Sequence, residues 1–386
     1  MLALATLSFF CVSILLNSPA ASKPLQAPRS IPLHPPRPAF DGQYVYPTVL
    51  NSETEWWWSH AVADDAIGAN PPASIQVIFF MGYLFGPPIP VISPQFYISV
   101  TGNYADGRTF SYTLPALNGV VTSIGQEVDG LWLGAGKFKT SADLSTYTIT
   151  FDGLLSPIKG TIKLTSNAPH HFGCNSTTSP YFDSDIPSGR LTESETKLYS
   201  QIGWPATIPG GKAVVDLKIA GKSFQFEGTG YHDQNWMPEP IQNFISTWYF
   251  GAATVGPYTF SYLAVRTIDS DRTLTTGFLA RDGIVLQNQC GTDKQGNDRS
   301  SLTPFGVIHN PVSGVDVPQG YNIDYILTNG EQYSFQLTEI AEVVDMNVYH
   351  QSVGSVKGGK VGEEPSEGHT VFEWLNPGLV TYTPSS

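Results

Sequence analysis

The chain has 386 residues, a formal net charge of −13, only 14% charged residues and 12% aromatic residues. So few Lys and Arg residues cannot build a broad phosphate-binding face, which argues against nucleic-acid binding. Disorder requires many charges and few aromatics, and helical bundles contain little Gly or Pro, so the 37 Gly and 30 Pro residues argue against both classes. The composition predicts an aromatic-rich β protein whose negative charge serves solubility.

The N-terminus has the pattern of a secretory signal. Leu2–Leu16 is an uncharged apolar run, and the small residues of Pro19–Ser22 follow it. We therefore expect residues 1–22 to be a signal peptide, cleaved near Ala20 or Ser22, that directs the protein to the secretory pathway. The run is shorter than the ~20 residues of a membrane span, so we expect no membrane attachment after cleavage. A retained membrane anchor is the alternative.

Residues 23–48 contain many prolines and are predicted to be an extended or mobile segment outside the core.

Secretion leaves two cysteines in the mature chain, Cys174 and Cys290. In an oxidising compartment they most simply form one disulfide, and two separate buried thiols are the alternative. Asn175 begins an Asn-Ser-Thr sequon, which predicts an exposed, glycosylated loop beside Cys174. The neighbouring His170-His171 pair has no third ligand at a useful spacing, so we predict no metal site.

Strand and turn signals follow one another through the first half of the chain. The hairpin signal is clearest at Asp106-Gly107, between two runs rich in aromatic and β-branched residues. The predicted strands are Ser74–Leu84, Phe96–Val100, Thr109–Leu114, Thr146–Phe151, Thr161–Leu164 and Val214–Phe226.

A long irregular stretch, Asn167–Gly211, interrupts the strands. Thr192 and Glu195 have the spacing of a capping box, which predicts one short helix there. We expect this stretch to be a lid-like insertion, and Cys174 indicates that a disulfide staples it to the core.

The second half repeats the hairpin pattern, which predicts an all-β chain of two antiparallel barrel or sandwich domains. Tyr104–Leu114 resembles Ile326–Leu337, either by duplication or by chance. The two prolines in Met237–Pro240 mark the seam between domains at 49–237 and 238–386. The hairpin strands are Trp248–Ala253 with Tyr258–Thr267, Thr275–Leu279 with Ile284–Leu286, and Tyr321–Leu327 with Gln332–Leu337.

The first candidate site cluster is Glu53–His60, which includes three adjacent tryptophans. In a strand, Glu55 and Trp57 share one face, and Trp56 and Trp58 share the other face with His60. Some of these rings are expected to wall a cavity. The alternative is that they are core anchors with one aromatic at the rim.

The second cluster is Gly228–Trp236, which we expect at a domain junction rather than inside a strand. Extended geometry places Tyr231, Asp233 and Asn235 together, with His232 on the other side. A desolvated Asp233 can act as an acid, and His232 can orient it or serve as a base. The alternative is a buried polar corner that ties the two domains together.

These two clusters resemble motifs of the hydroxyneurosporene-synthase-like proteins, a family with two lipocalin-like domains. The matching segments are Glu55–Trp57 and Gly228–Trp236, and Met237 departs from the glycine usual in the family. The family includes carotenoid hydratases, kievitone hydratase, and fungal Diels-Alderases and hetero-Diels-Alderases. The resemblance implies two lipocalin-like barrels, a ligand pocket at or between them, and no redox cofactor.

The resemblance does not choose between water addition and cyclisation. An aromatic-lined pocket with a few fixed donors suits a cycloaddition, so we favour a cofactor-independent pericyclase that performs a stereoselective [4+2] cycloaddition on a polyketide- or terpenoid-derived intermediate of fungal secondary metabolism. A cofactor-free hydratase or dehydratase and a non-catalytic carrier are the alternatives. The predicted catalytic residues are Asp233, His232 and Glu55. The predicted substrate-binding residues are Trp56, Trp57, Tyr231, Asn235, Trp236 and Trp248.

Overall fold

The computed structural model describes residues 39–47, 52–66, 70–86, 95–154, 156–291, 298–309, 311 and 316–377. The predicted signal peptide and residues 23–38 lie outside this part of the chain. Two large antiparallel sheets dominate the described residues, and the one α-helix among them, α1, covers Glu193–Gln201. None of the helices found there is long and apolar enough to cross a membrane.

The first sheet contains twelve strands in the described part of the chain. They are β1 Thr54–Ala63, β2 Ser74–Met81, β3 Phe96–Asn103, β4 Thr109–Pro115, β5 Gly119–Ile124, β6 Glu127–Trp132, β7 Gly136–Thr140, β8 Thr146–Phe151, β9 Ile158–Ser166, β10 His171–Phe172, β11 Pro205–Ile219 and β12 Lys222–Met237. Their spatial order is β4-β3-β2-β1-β12-β11-β9-β8-β7-β6-β5, and β10 pairs with β11.

The second sheet follows Pro238, Pro240 and a 3₁₀ turn at Ile241–Asn243. Its strands are β13 Ile245–Val255, β14 Tyr258–Thr267, β15 Thr273–Arg281, β16 Ile284–Gln287, β17 Cys290–Gly291, β18 Arg299–Phe305, β21 Gly320–Ile326, β22 Gln332–Asp345, β23 Tyr349–Lys360 and β24 Ser366–Leu375. The order is β16-β15-β14-β13-β24-β23-β22-β21-β18, with β17 on β15, while β19 Ile308–His309 and β20 Asp316–Val317 form a separate pair. The predicted all-β class is confirmed.

The two sheets repeat one topology, but the resemblance of Tyr104–Leu114 to Ile326–Leu337 does not follow this repeat. In each sheet the first strand lies between the second strand and the last strand, so that β1 pairs with β2 and β12 as β13 pairs with β14 and β24. Tyr104–Leu114 belongs to the β3–β4 hairpin and Ile326–Leu337 to the β21–β22 hairpin, which occupy different places in this order. Their similarity therefore reflects the shared chemistry of hairpins.

Local signals predict the hairpins and the helix correctly, with one exception. Thr192 caps α1 in a complete capping box with Glu195. The run Val214–Phe226 is two strands rather than one, because Ala220 and Gly221 turn it back with φ angles of 49° and 81°. A pair of residues in the left-handed region is the usual geometry of a tight hairpin turn.

The described part of the proline-rich segment contradicts the prediction that it lies outside the core. Ala39 and Asp41 are buried inside the first sheet. The Asp41 carboxylate accepts a hydrogen bond from the Thr140 hydroxyl. The backbone carbonyl oxygen of Asp41 accepts one from the Trp57 indole at 3.1 Å. The Tyr44 amide donates to Glu55 at 2.8 Å. Residues 39–47 thus form a strap held by buried polar contacts.

The insertion after β9 is anchored to the second sheet by three kinds of contact. A disulfide joins Cys174 to Cys290, as the secretion argument predicts. The Glu195 carboxylate of α1 forms an ion pair with Arg272, and Asp269 accepts a hydrogen bond from Thr192 at 2.8 Å. The insertion therefore ties the two sheets together.

We expect the double variant Cys174→Ala/Cys290→Ala to lose about 2 to 5 kcal/mol of unfolding free energy, because the disulfide restricts a long loop in the unfolded chain. Urea denaturation measures the change. Reductant should lower the stability of the wild type to that of the double variant and leave the double variant unchanged. Equal stability of the two oxidised proteins would contradict the expectation.

Candidate active site

A cavity of about 720 Å³ lies where the two sheets face each other. It has the size and the mixture of apolar walls and few polar groups that are typical of small-molecule sites. Its aromatic walls include Trp56, Trp58, Phe80, Tyr97, Trp248 and Phe250. Its polar lining includes Gln76, Asp233, Asn235, Tyr349 and Glu373.

The pleat of β1 and β12 decides which of their side chains reach the cavity. Successive residues of a strand point to opposite faces, so Trp56 and Trp58 of β1 face the cavity while Trp57 enters the core of the first sheet. Asp233 and Asn235 of β12 reach the cavity by the same alternation. The predicted sharing of faces is correct for both clusters. Gly228–Trp236, however, lies within β12, contrary to the expectation that it lies outside a strand.

Asp233 is held by two donors and keeps one oxygen free among the described residues. Its Oδ2 accepts hydrogen bonds from the Trp204 indole at 2.8 Å and from the Tyr231 hydroxyl at 2.9 Å. Its buried Oδ1 has no hydrogen-bond partner in this part of the protein. Burial raises the pKa of Asp233 to about 7, although both donors oppose the change.

Two of the predicted binding residues act next to Asp233 in different ways. Tyr231 is buried beside the cavity without lining it, and its hydroxyl donates to Asp233. Asn235 lines the cavity, and its Nδ2 donates to the Gly203 carbonyl oxygen at 3.2 Å. Trp248 also lines the cavity, as predicted for a binding residue.

Glu373 is a second buried carboxyl in the cavity, which the sequence motifs do not indicate. It accepts a hydrogen bond from the Tyr349 hydroxyl at 2.9 Å, and Tyr349 in turn accepts one from Gln76 Nε2 at 2.7 Å. Burial raises the pKa of Glu373 to about 8, and the charge of Asp233 adds to the increase. The available signal is one acidic residue in the apolar run Val371–Leu375.

The structure does not bring two of the predicted catalytic residues to the cavity. His232 points into the core of the first sheet, where its Nε2 lies 3.0 Å from Asp41 Oδ2. Its ring stacks on that of Tyr147, with 3.5 Å between the ring centres. Glu55 accepts hydrogen bonds from the Tyr44 amide and, at 2.6 Å, from Gln234 Nε2. Burial raises the pKa of Glu55 well above its usual range. Both side chains hold the strap of residues 39–47 in place.

Trp57 and Trp236 are likewise corrections to the predicted substrate-binding set, because the pleat turns both indoles away from the cavity. The Trp57 indole packs edge-on against Trp132 at 5.4 Å. Trp236 stacks on Tyr44 at 4.0 Å. They are structural anchors of the first sheet and of the strap.

Among the described residues, one group has potential ligand atoms close enough together to hold a cation. Glu342, Asp345 and His350 place one potential ligand atom each within 4.8 Å of the others. His350 Nδ1 already contacts Glu342 Oε1 at 2.6 Å, so hydrogen bonding accounts for the grouping.

The chain is similar to several known proteins. Residues 79–376 match the family model described as Diels-Alderase-like. The quinolone epoxide rearrangement protein penF of Penicillium thymicola is 26% identical over 337 residues, with 86% of each chain covered. Diels-Alderase ORF3 of Pyricularia oryzae is 21% identical over 338 residues, which cover 83% of this chain and 81% of the relative.

Solved structures show the same fold. CghA with Sch210972 superposes with a TM-score of 0.65 at 21% identity, covering 87% of this chain and 94% of CghA. Kievitone hydratase from Nectria haematococca gives a TM-score of 0.52 at 13% identity, covering 83% of this chain and 88% of the hydratase. These likenesses confirm the predicted lipocalin-like fold.

We expect Asp233→Asn to flatten the pH dependence of stability. With a pKa of about 7, folded Asp233 keeps a proton that the unfolded chain loses near pH 4, so its stabilising contribution is lost as the pH rises through that window. The loss amounts to about 4 kcal/mol for a fully buried group. Urea denaturation at a series of pH values measures it.

The matched control is Glu227→Gln, an exposed carboxyl on the same strand that pairs with Lys212. It should leave the slope between about pH 4 and pH 7 unchanged. If Asp233→Asn retains the full slope of the wild type, Asp233 titrates like an exposed carboxyl and the assigned environment is wrong.

Proposed function

The chain belongs to the Diels-Alderase-like family, and we propose that it is a cyclase of fungal secondary metabolism. The proposed reaction is a stereoselective [4+2] ring closure of a polyketide- or terpenoid-derived intermediate, without a cofactor. The observation that carries the proposal is the cavity of about 720 Å³, whose aromatic walls and few fixed polar groups suit a bulky hydrophobic substrate.

Such a cavity supplies what a cycloaddition requires. Holding the diene and the dienophile in one folded conformer removes much of the entropic barrier. The rings of Trp58 and Phe250 meet edge-on at 5.1 Å and give one wall a fixed shape. A hydrogen bond to a carbonyl of the dienophile, for which the amide of Asn235 is placed, lowers the barrier further.

The buried carboxyl of Asp233 supports a second candidate, a reaction that moves a proton. Its pKa of about 7 suits general acid or base chemistry at neutral pH. The relative penF is named for the rearrangement of a quinolone epoxide. Hydration or dehydration of a hydrophobic alkene or alcohol is a reaction that moves a proton.

We expect the purified protein to accelerate ring closure of a linear polyene with a tethered dienophile and to favour one stereoisomer over the spontaneous mixture. Phe250→Ala should shift the isomer ratio toward the spontaneous one, because it enlarges the cavity beside Trp58. Chromatography of the products on a chiral phase measures both effects. Leu117→Ala, at an exposed position, is the matched control and should behave like the wild type.

An unchanged rate together with an unchanged isomer ratio would contradict the cyclase. The same reaction in heavy-oxygen water tests hydration, since solvent oxygen in the product indicates a hydratase. If Asp233→Asn retains a bound hydrophobic ligand and neither protein turns it over, the chain is a carrier.

We also propose that the protein passes through the secretory pathway. The disulfide supports this, because disulfides persist in oxidising compartments. Asn175 of the sequon is exposed in the loop beside Cys174, where a transferase has access to it. Cleavage near Ala20 or Ser22 would leave a mature chain without the apolar N-terminal run.

We expect protein purified from the medium of a fungal expression host to begin after residue 20 or 22 and to carry a glycan. Intact-mass spectrometry should show that Asn175→Gln lacks the glycan, whereas Asn118→Gln, at an exposed asparagine outside any sequon, keeps it. A full-length, unglycosylated protein retained in the cytosol would overturn the proposal.

A further inference from the structure

We infer that Glu373 is a second catalytic residue, which works with Asp233 to dehydrate an alcohol precursor and so generate the diene that the cavity then closes into a ring. The inference rests on the proposed cyclase and extends it. It assigns the substrate class, a hydrophobic polyene that carries an allylic hydroxyl group, and it divides the chemistry between the two sheets.

The repeated topology places the two carboxyls in corresponding positions. Asp233 lies on β12, directly opposite Trp58 of the first strand of its sheet. Glu373 lies on β24, directly opposite Phe250 of the first strand of the second sheet. β12 and β24 are the last strands of their sheets in chain order, and each pairs with the first strand of its own sheet. Both carboxyls therefore enter one cavity from opposite sheets.

The two carboxyls have different surroundings, which suit different roles. Asp233 has two donors on Oδ2, which favour its carboxylate form, and a buried Oδ1 that no described residue bonds. Glu373 accepts a hydrogen bond from Tyr349, and the Trp58 indole beside it also favours its carboxylate form. Burial nevertheless raises the pKa of Glu373 to about 8, which keeps it protonated at neutral pH. The pair therefore offers an acceptor oxygen on one side and an acidic proton on the other.

Other ionisable groups around the pair do not neutralise it. Tyr231 and Tyr349 contact the carboxyls, while Tyr83 and Tyr97 line the cavity and His60 stacks against Tyr231. Burial lowers the pKa of His60 to about 3, so this ring is neutral. His232 and Asp41 lie behind the strand of Asp233, with His232 Nε2 3.0 Å from Asp41 Oδ2. Among the described residues no Lys or Arg lines the cavity.

The proposed step balances without any co-reactant. Asp233 takes a proton from the carbon next to the carbinol carbon, and the electrons of that C–H bond form the new double bond. The C–O bond breaks, and its electrons leave with the hydroxyl oxygen, which takes the proton of Glu373 and departs as water. The carboxyls exchange protonation states and are restored by proton exchange with solvent, and the resulting diene undergoes the [4+2] closure.

The test uses two synthetic probes, a linear polyene alcohol with a tethered enone, and the same chain already dehydrated to the diene. We expect Glu373→Gln and Asp233→Asn to lose at least about 100-fold in rate on the alcohol, since each removes a proton-transfer group. The loss should be much larger on the alcohol than on the preformed diene, because only the dehydration needs a proton transfer. Glu367→Gln, an exposed carboxyl on the same strand, is the matched control for Glu373.

The pH dependence of the rate on the alcohol shows which carboxyl acts as the base and which as the acid. The rate should rise through about pH 7 as Asp233 ionises and fall through about pH 8 as Glu373 loses its proton. Tyr349→Phe removes a donor that favours the carboxylate of Glu373, so the pKa of Glu373 rises and the basic limb moves to higher pH. A purely structural role for Tyr349 would leave that limb in place.

A readout that needs no substrate tests the same assignment. The infrared difference spectrum of the wild type minus Glu373→Gln should show the band of a protonated carboxylic acid above pH 7, whereas the wild type minus Glu367→Gln should not. The buried Glu55 carboxyl, whose pKa is also raised, is present in all three proteins and cancels in the differences. Full activity of the variants on the alcohol, or the absence of such a band, would overturn the inference. If the wild type does not close the preformed diene, the proposed cyclase fails, whereas the infrared result still decides the protonation of Glu373.

Discussion

The register between β1 and β12 is the constraint on which the site depends. Trp58 lies opposite Asp233, and the alternation of the pleat then directs the neighbours Trp57 and His232 into the first core. A shift of one residue would exchange the two faces and place Asp233 in that core. The buried contacts of His232 with Asp41 and of Gln234 with Glu55 oppose this shift, because they form only in the observed register. Residues outside the cavity thus determine what the cavity presents.

Two buried carboxyls are costly, and the structure offsets the cost in two ways. Each carboxyl accepts a hydrogen bond from a rigid aromatic donor, Trp204 for Asp233 and Tyr349 for Glu373. Each also has a raised pKa, so that near neutral pH at least one of the two carboxyls is protonated and the cavity does not hold two negative charges. The same burial that makes the carboxyls expensive makes them suitable for proton transfer.

Features that depend on neighbours in sequence could be predicted, and features that depend on packing could not. Period-two alternation gave the faces of both clusters, and turn and capping residues gave the hairpins and α1. The role of Glu373 depends on how the second sheet faces the first, and no local motif encodes that. The prolines before Pro47 suggested a segment outside the core, whereas the carboxyl of Asp41 finds its partners only in the folded barrel.

The insertion links the covalent and ionic anchors of the fold to the chemistry of the cavity. Cys174, in its first part, is bonded to Cys290 in the second sheet. Trp204, its last residue before β11, donates its indole N–H to Asp233 of the first sheet. Between them, Glu195 of α1 pairs with Arg272. Because the insertion is fastened to the sheet that carries Glu373 and donates to the carboxyl on the other sheet, it fixes the two carboxyls relative to each other. A loop free of these anchors would leave that spacing to the packing of aromatic rings and to hydrogen bonds between the sheets, such as the one from Gln76 to Tyr349. Fewer anchors tolerate small slides that a proton transfer does not.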